Sequence, residues 1–200
     1  IFSIATVISI VVISLFLALL LNRELYAKSL LRGMFFFPYV SNMVAICIVW
    51  MALFNRESGP INMFLKQLGF TTTPGWLTNS NWALPSIMIV TIWINVGYIM
   101  VIYLAGLQGV PQELYEAAQM DGANAMQKFF NVTLPCISPT TFFVFIITLI
   151  NSFKVFAPVN IMTQGGPGDA TYVLVYYIFI TAFRHYRMGY GAAMAWLLFM

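Results

Sequence analysis

Few residues in this sequence are equipped for chemistry, and their arrangement rules out most of it. The 6 acids (Glu24, Glu57, Glu113, Glu116, Asp121 and Asp169) all sit outside the long apolar runs. Carboxylates inside a span are the usual device of proton-coupled transport, and none is found there. A lone His185 on the solvent side supplies no Ser–His–Asp nucleophile set. One His with two separated Cys makes no zinc site. Cys47 lies in an apolar run and Cys136 beside a polar stretch, and both read as reduced packing residues. No Gly-rich phosphate cradle ending in Lys-Ser/Thr exists, since no Gly is followed by Lys. The net charge of +3 is spread over loops without a Lys/Arg cluster, so there is no nucleic-acid footprint. Binding and passage are left, not catalysis, with no metal and no cofactor held by this chain.

Two groups of residues could serve that end. The first lies in PQELYEAAQMDGANAMQKFFNVTLP, residues Pro111 to Pro135. Pro at the first helical position, Glu113 in the first turn and Gly122 just past the last predict a short helix. Leu114, Ala117, Ala118 and Asp121 fall at i, i+3, i+4 and i+7, one nearly flat face that another protein's backbone could approach. Glu113, Glu116 and Met120 share a second face. A further short helix is expected over about Ala123–Val132, ended by Pro135 and Pro139.

The second group is polar side chains within apolar runs: Tyr39, Ser41 and Asn42, then Thr91, Asn95 and Tyr98, then Thr148, Asn151, Ser152 and Lys154. Such groups are costly in lipid and face a cavity or another helix. Aromatic rings stack on the CH faces of sugars and amides bind hydroxyls, so the set suits a saccharide pathway. The plainer reading of each is an interhelical hydrogen bond, about 0.6 to 2 kcal/mol. Asn151, Ser152 and Lys154 do not all face one way, so some serve packing. A mid-bilayer Lys costs roughly 2.5 to 3.5 kcal/mol on insertion scales. Lys154 therefore snorkels outward or, in a sharper reading, meets an anionic substrate such as a uronate or a sugar phosphate.

The elements that must position these residues are membrane helices. The chain is 61% hydrophobic and 8% charged, with a mean hydropathy of +0.87; soluble domains carry about a quarter charged residues. Crossing about 30 Å of hydrocarbon takes roughly 20 residues. Ile1–Leu21, Gly33–Phe54 (kinked near Pro38), Ala83–Gln108 and Ser138–Met162 meet that length. Thr171–Phe183 is too short and reads as interfacial or re-entrant. A last span opens near Gly189. The expectation is an all-α integral membrane protein, a helix bundle, with residues 1–200 one transmembrane domain cut from a longer chain of about six helices. Asn55–Asn81 is a long polar loop, and TQGGPGDAT from Thr163 is turn-rich. Alternation puts Asn22–Arg32 and Pro111–Pro135 on one side, with Arg23, Lys28, Arg32 and Lys128. The other side carries Arg56, Lys66, Arg184 and Arg187. Only the compactness of the first loop breaks that tie, in favour of a cytoplasmic first loop.

The polar stretch resembles the EAA loop of permease subunits of bacterial binding-protein-dependent ABC importers. The match runs Glu116-Ala117-Ala118, Asp121-Gly122-Ala123 and Leu134-Pro135, with Val132 where the family usually has Ile. The likeness covers essentially all 200 residues: FPYVSNMV at Phe37–Val44, and Phe54-Asn55 with Gly59 through Asn62. Trp76-Leu77, Asn81 through Pro85 and Leu104 through Leu114 resemble the sugar-importer branch. Gln164 through Gly168 with Thr171 looks like the first of its two permeases, the partner similar to the larger membrane subunit of the maltose importer.

The resemblance implies that Pro111–Pro135 is a cytoplasmic coupling helix seated in a groove of an ATPase subunit, which binds ATP and Mg itself. Glu116 would meet a basic residue there, while Ala117, Ala118 and Gly122 permit close docking. The blander reading is an interfacial helix whose Glu residues favour the positive end of the helix dipole. It further implies a second permease subunit, an extracellular or periplasmic solute-binding protein, a sugar substrate and a multi-pass place in a prokaryotic plasma membrane. Tyr39, Thr91, Asn95, Thr148, Asn151 and Ser152 would lie at or beside substrate-lining positions, of which only Tyr39 keeps the residue type. A secondary transporter is disfavoured by the missing intramembrane acids. A structural scaffold would leave uptake untouched by pathway mutations.

Overall fold

The computed structural model describes residues 2–22, 27–70 and 72–200, so the expectations for Arg23 and Glu24 lie outside the described residues. Helices follow one another and no strand occurs among those residues. Helix α1 is Phe2–Asn22, α2 Lys28–Val40, α3 Met43–Leu53, α4 Pro60–Gln67 and α5 Ser80–Gln108. Then come α6 (Gln112–Met120), α7 (Ala125–Lys128), a π-helical turn (Phe129–Thr133) and α8 (Leu134–Cys136). The chain closes with α9 (Ser138–Phe153), α10 (Ala157–Met162), α11 (Leu174–Phe179), a second π turn (Ile180–Arg184) and α12 (Met188–Phe199).

Phe2–Asn22, Ser80–Gln108 and Ser138–Met162, of 21, 29 and 25 residues, are long and apolar enough to cross a membrane. The expected kink near Pro38 is instead a break. Pro38 stays inside α2, and the helix stops at Val40. Asn42 then starts α3 by accepting from the Val44 and Ala45 N–H groups at 2.9 and 3.2 Å. Its amide oxygen thus caps a helix end. The loop Asn55–Asn81 holds a helix of its own, α4, and α5 begins at Ser80, earlier than the expected Ala83. The apolar helix expected over Thr171–Phe183 occupies Leu174–Arg184. At 1.5 Å per residue it is about half the hydrocarbon thickness.

The chain folds as two compact units. One comprises Ile4–Val40 and Ile92–Leu149. Its core joins Ile10, Ala18 and Leu21 of α1 to Met100, Tyr103 and Leu107 of α5 and to Val144 of α9. Buried Ser14 donates to the Val96 carbonyl at 3.0 Å, so its hydroxyl is not left unpaired in the apolar core. Helix α2 crosses α5 backbone to backbone, because a Cβ on Gly97 would collide with the Phe35 carbonyl. The other unit comprises Ile1–Ser3, Ser41–Thr91 and Ile150–Met200. There α3 packs on α10, and Phe2, Ile87, Val159, Tyr176 and Ile180 form the core. Cys47 is buried, as expected of a packing residue, whereas Cys136 is exposed and departs from that expectation.

Candidate functional site

The short helix expected after Pro111 forms over Gln112–Met120, with Pro111 one position earlier than expected, at the cap. Nine residues are too few to be a stable helix in isolation, so its ends matter. Gly122 takes φ +79°. The Gly122 N–H donates to Gln119 O at 3.1 Å and the Ala123 N–H to Ala118 O at 2.9 Å. Those two bonds are a Schellman ending, which a left-handed glycine permits. Two residues on, Asn124 and Gln127 form a reciprocal capping box at 2.9 and 2.8 Å.

The second short helix runs further than expected. Pro135 does not end it, and the helical path continues to Cys136. A proline lacks the N–H for the i→i−4 bond, and its ring crowds the carbonyl four residues back. The widened π turn, with the Leu134 N–H donating to Phe129 O, absorbs both defects. Thr133 is buried there, and its hydroxyl lies 3.0 Å from the Tyr115 hydroxyl. That bond ties α6 to the π turn and fixes which way the helix faces.

The face so fixed differs in one residue from the expected one. Tyr115 and Ala118 are half-buried, while Glu113, Leu114, Glu116, Ala117, Met120 and Asp121 are exposed. Ala118 thus leaves the open face, because the Tyr115 side of the helix leans on the π turn. Among the described residues no cation pairs with Glu116, which accepts from the Gln112 side-chain amide at 3.1 Å. Lys128 donates to Gln119 Oε1 at 3.0 Å, bridging the two short helices. Leu134 is half-buried and Pro135 exposed. The outcome is a small acidic surface, apolar at Leu114 and Met120 and flat at Ala117, left uncovered by the described residues.

The polar residues of the spans fall in separate units. Tyr39, Asn95, Tyr98 and Thr148 belong to one, and Thr91, Asn151, Ser152 and Lys154 to the other. The rings of Tyr39 and Tyr98 stack, with centroids 4.3 Å apart and planes 7° from parallel. Thr148 is buried, and its hydroxyl has no partner among the described residues. Buried Thr91 donates to Ile87 O at 2.8 Å, a bond within its own helix. Ser152 is buried, but Asn151 and Lys154 are exposed, so the three do face different ways. Lys154 lies in the break between α9 and α10, where its N–H donates to Asn151 O at 3.2 Å.

A residue that spacing could not single out organises the Asn55–Asn81 loop. Asn62 of α4 is fully buried. Its amide nitrogen donates to the Arg56 and Pro74 carbonyls at 3.1 and 3.3 Å, and its oxygen accepts from Trp76 Nε1 at 2.8 Å. Trp76 in turn stacks on Phe54 at 5.3 Å. In the Gly-rich turn after α10, the hydroxyls of Thr163 and Thr171 lie 2.8 Å apart, and Thr171 donates to Gly166 O at 3.0 Å. The two segments enclose a cleft of about 750 Å³ lined by Phe54, Arg56, Glu57, Trp76, Thr163 and Pro167 among others.

Apolar helices of membrane-crossing length, with one capped polar helix held open to the outside, define a multi-pass membrane subunit. The chain belongs to the family of binding-protein-dependent transport system inner membrane components, which matches residues 10–200. Over 92% of its length it is 36% identical to the probable ABC transporter permease protein YesP of Bacillus subtilis, and it spans 60% of that relative. Over its full length it is 35% identical to a probable starch degradation products transport system permease protein, AmyD of Thermoanaerobacterium thermosulfurigenes, covering 67% of it. The same all-α fold recurs in a bacterial alginate ABC transporter solved with an alginate pentasaccharide-bound periplasmic protein. There the TM-score is 0.84 at 24% identity, over 98% of this chain and 70% of that one. The chain is thus part of an inner membrane component of this family, and it spans about 60% of the length of the first of those relatives.

Proposed function

We propose that this chain is one half of a permease heterodimer in an ATP-driven importer that moves sugars into a prokaryotic cell across its plasma (inner) membrane. The observation that carries the reading is the open acidic face of α6, with Glu113, Glu116, Ala117 and Asp121 exposed and the C-terminal end of the helix closed by the Gly122 and Ala123 N–H bonds. A cytoplasmic ATPase subunit is the occupant, and a basic residue of its groove answers Glu116. Closure of the ATPase dimer on ATP and Mg then pulls on α6, and the Tyr115–Thr133 bond and the helical run through Leu134 and Pro135 carry that pull to α9.

On the far side of the membrane, the cleft beside Arg56, Glu57 and Trp76 receives a loaded solute-binding protein. The pathway runs past Tyr39, Asn95, Tyr98 and Thr148 and past Thr91, Asn151, Ser152 and Lys154. The stacked tyrosines offer an aromatic surface for sugar CH faces, and Asn95 and Asn151 offer amides for hydroxyls. The name of AmyD, given for starch degradation products, supports a saccharide cargo.

The test is Glu116→Lys in the whole transporter, reconstituted in proteoliposomes with its second permease, ATPase and binding protein. Insertion stays normal and ATP-dependent uptake is abolished. Undiminished uptake would overturn the coupling role.

A further inference from the structure

We infer that the cargo of this permease carries negative charge, a carboxylate or a phosphate, and that Lys154 with Asn151 is the point in the pathway that meets it. The inference rests on the importer reading above and adds the charge class of the substrate.

Lys154 lies about two-thirds of the way along Ser138–Met162, a segment with the length and hydropathy of a membrane span. It is exposed, and no side chain of the described residues pairs with its ammonium. Its neighbours on the exposed surface are Ile150 and Phe153, 51% and 43% exposed, and they would suit hydrocarbon if the surface were apolar throughout. Asn151 interrupts it, exposed three residues before Lys154 and hence on the same side of the helix. The helix itself stops here, with Lys154, Val155 and Phe156 outside both α9 and α10. Helix ends leave backbone groups without intrahelical partners. Lipid cannot satisfy them, so non-helical backbone inside a span occurs where protein or a water-filled cavity surrounds it. A cation, an amide and an interrupted helix at one point of a span all ask for a polar, wet neighbour. Interrupted helices of this kind form substrate sites in transporters. An unpaired ammonium in such a site attracts an anion, and the adjacent amide donates to sugar hydroxyls or acid oxygens.

The test uses the complete transporter in proteoliposomes and three labelled probes: a uronate trisaccharide, a hexose phosphate and a neutral trisaccharide. Wild type, Lys154→Met and Lys154→Arg are compared, with Lys154→Gln replacing Met if insertion suffers. Binding-protein-stimulated ATP hydrolysis is followed alongside, to separate lost passage from lost coupling. The expected result is ATP-driven uptake of one acidic probe by wild type, reduced about tenfold or more in Lys154→Met and restored to within about threefold in Lys154→Arg. Neutral uptake, where present, stays within about twofold and stimulated hydrolysis persists. Which acidic probe responds separates carboxylate from phosphate. Uptake of the neutral probe alone overturns this inference and leaves the importer reading standing. Equal loss for every probe assigns Lys154 to an acid of the second permease subunit, and no loss assigns it to lipid headgroups; either overturns the inference. Absence of ATP-driven uptake of all three sinks the importer reading together with it.

Discussion

The stretch from Pro111 to Pro135 and the loop from Asn55 to Asn81 are alike in polarity, yet they are stabilised in different ways. The first holds its shape mainly through bonds between near neighbours, the Gly122 ending and the Asn124–Gln127 box, with one longer-range bond, the Tyr115–Thr133 pair. Most of its side chains stay exposed. The second is fastened from within by Asn62, fully buried and bonded to groups from Arg56 to Trp76. Local bonding leaves a surface free for a partner, whereas a buried polar hub commits side chains to the fold. Substitutions in the loop should therefore cost stability, and those in the helix should cost function.

The largest effect on stability is expected from Asn62→Ala. It strands the Trp76 indole N–H and two carbonyls, each worth about 1 to 3 kcal/mol when buried and unpaired. Thermal unfolding of the purified protein in detergent should show a large drop in Tm; an unchanged Tm would break the contrast between the two stretches.

Gly122→Ala comes next. A Cβ at φ +79° costs about 1 to 2 kcal/mol, and nothing within 4 Å obstructs it, so the penalty is conformational. The same Tm measurement should place it between Asn62→Ala and wild type.

Tyr115→Phe removes one hydrogen bond, about 1 kcal/mol. It should loosen α6 enough to slow uptake while ATP hydrolysis continues. Uptake and hydrolysis falling in proportion would mean that the bond does not transmit motion.

The smallest stability effect belongs to Ala117→Leu, on the open face, expected within about 0.5 kcal/mol of wild type. If α6 has the proposed coupling role, uptake should nevertheless fall, because a larger side chain would hold the partner ATPase off. Ala118→Leu, half-buried, should by contrast lower Tm as well. Equal Tm for the two alanine variants would erase the distinction between inner and outer faces.

Where physics acts locally, the reading of residues and the structure agree. A nearly uncharged apolar run has few states available other than a membrane helix, so Phe2–Asn22 and Ser138–Met162 follow from composition and length. Pro111, Glu113 and Gly122 mark the bounds of α6 to within a residue, since caps are made by immediate neighbours. Val40 ending α2 was less legible, because a proline signals a kink or a break alike until the next cap is known; Asn42 decided for the break.

What residue spacing could not give is orientation. Periodicity places Leu114, Ala117 and Ala118 on one face, but a helix of this length turns with whatever anchors it. The anchor is a hydroxyl from a π turn that exists because Pro135 cannot donate. In the same way Asn62 reads as an ordinary polar loop residue until Arg56, Pro74 and Trp76 gather around it. By itself the sequence determined that the chain is helical, suited to lipid, and furnished with an acidic, small-residue helix. Tertiary structure decided which side of that helix is open and which polar groups are consumed in holding the fold. Hydrophobic burial and capping act between near neighbours in the chain, whereas a hydrogen bond across 18 or 14 residues is chosen only once the chain has closed.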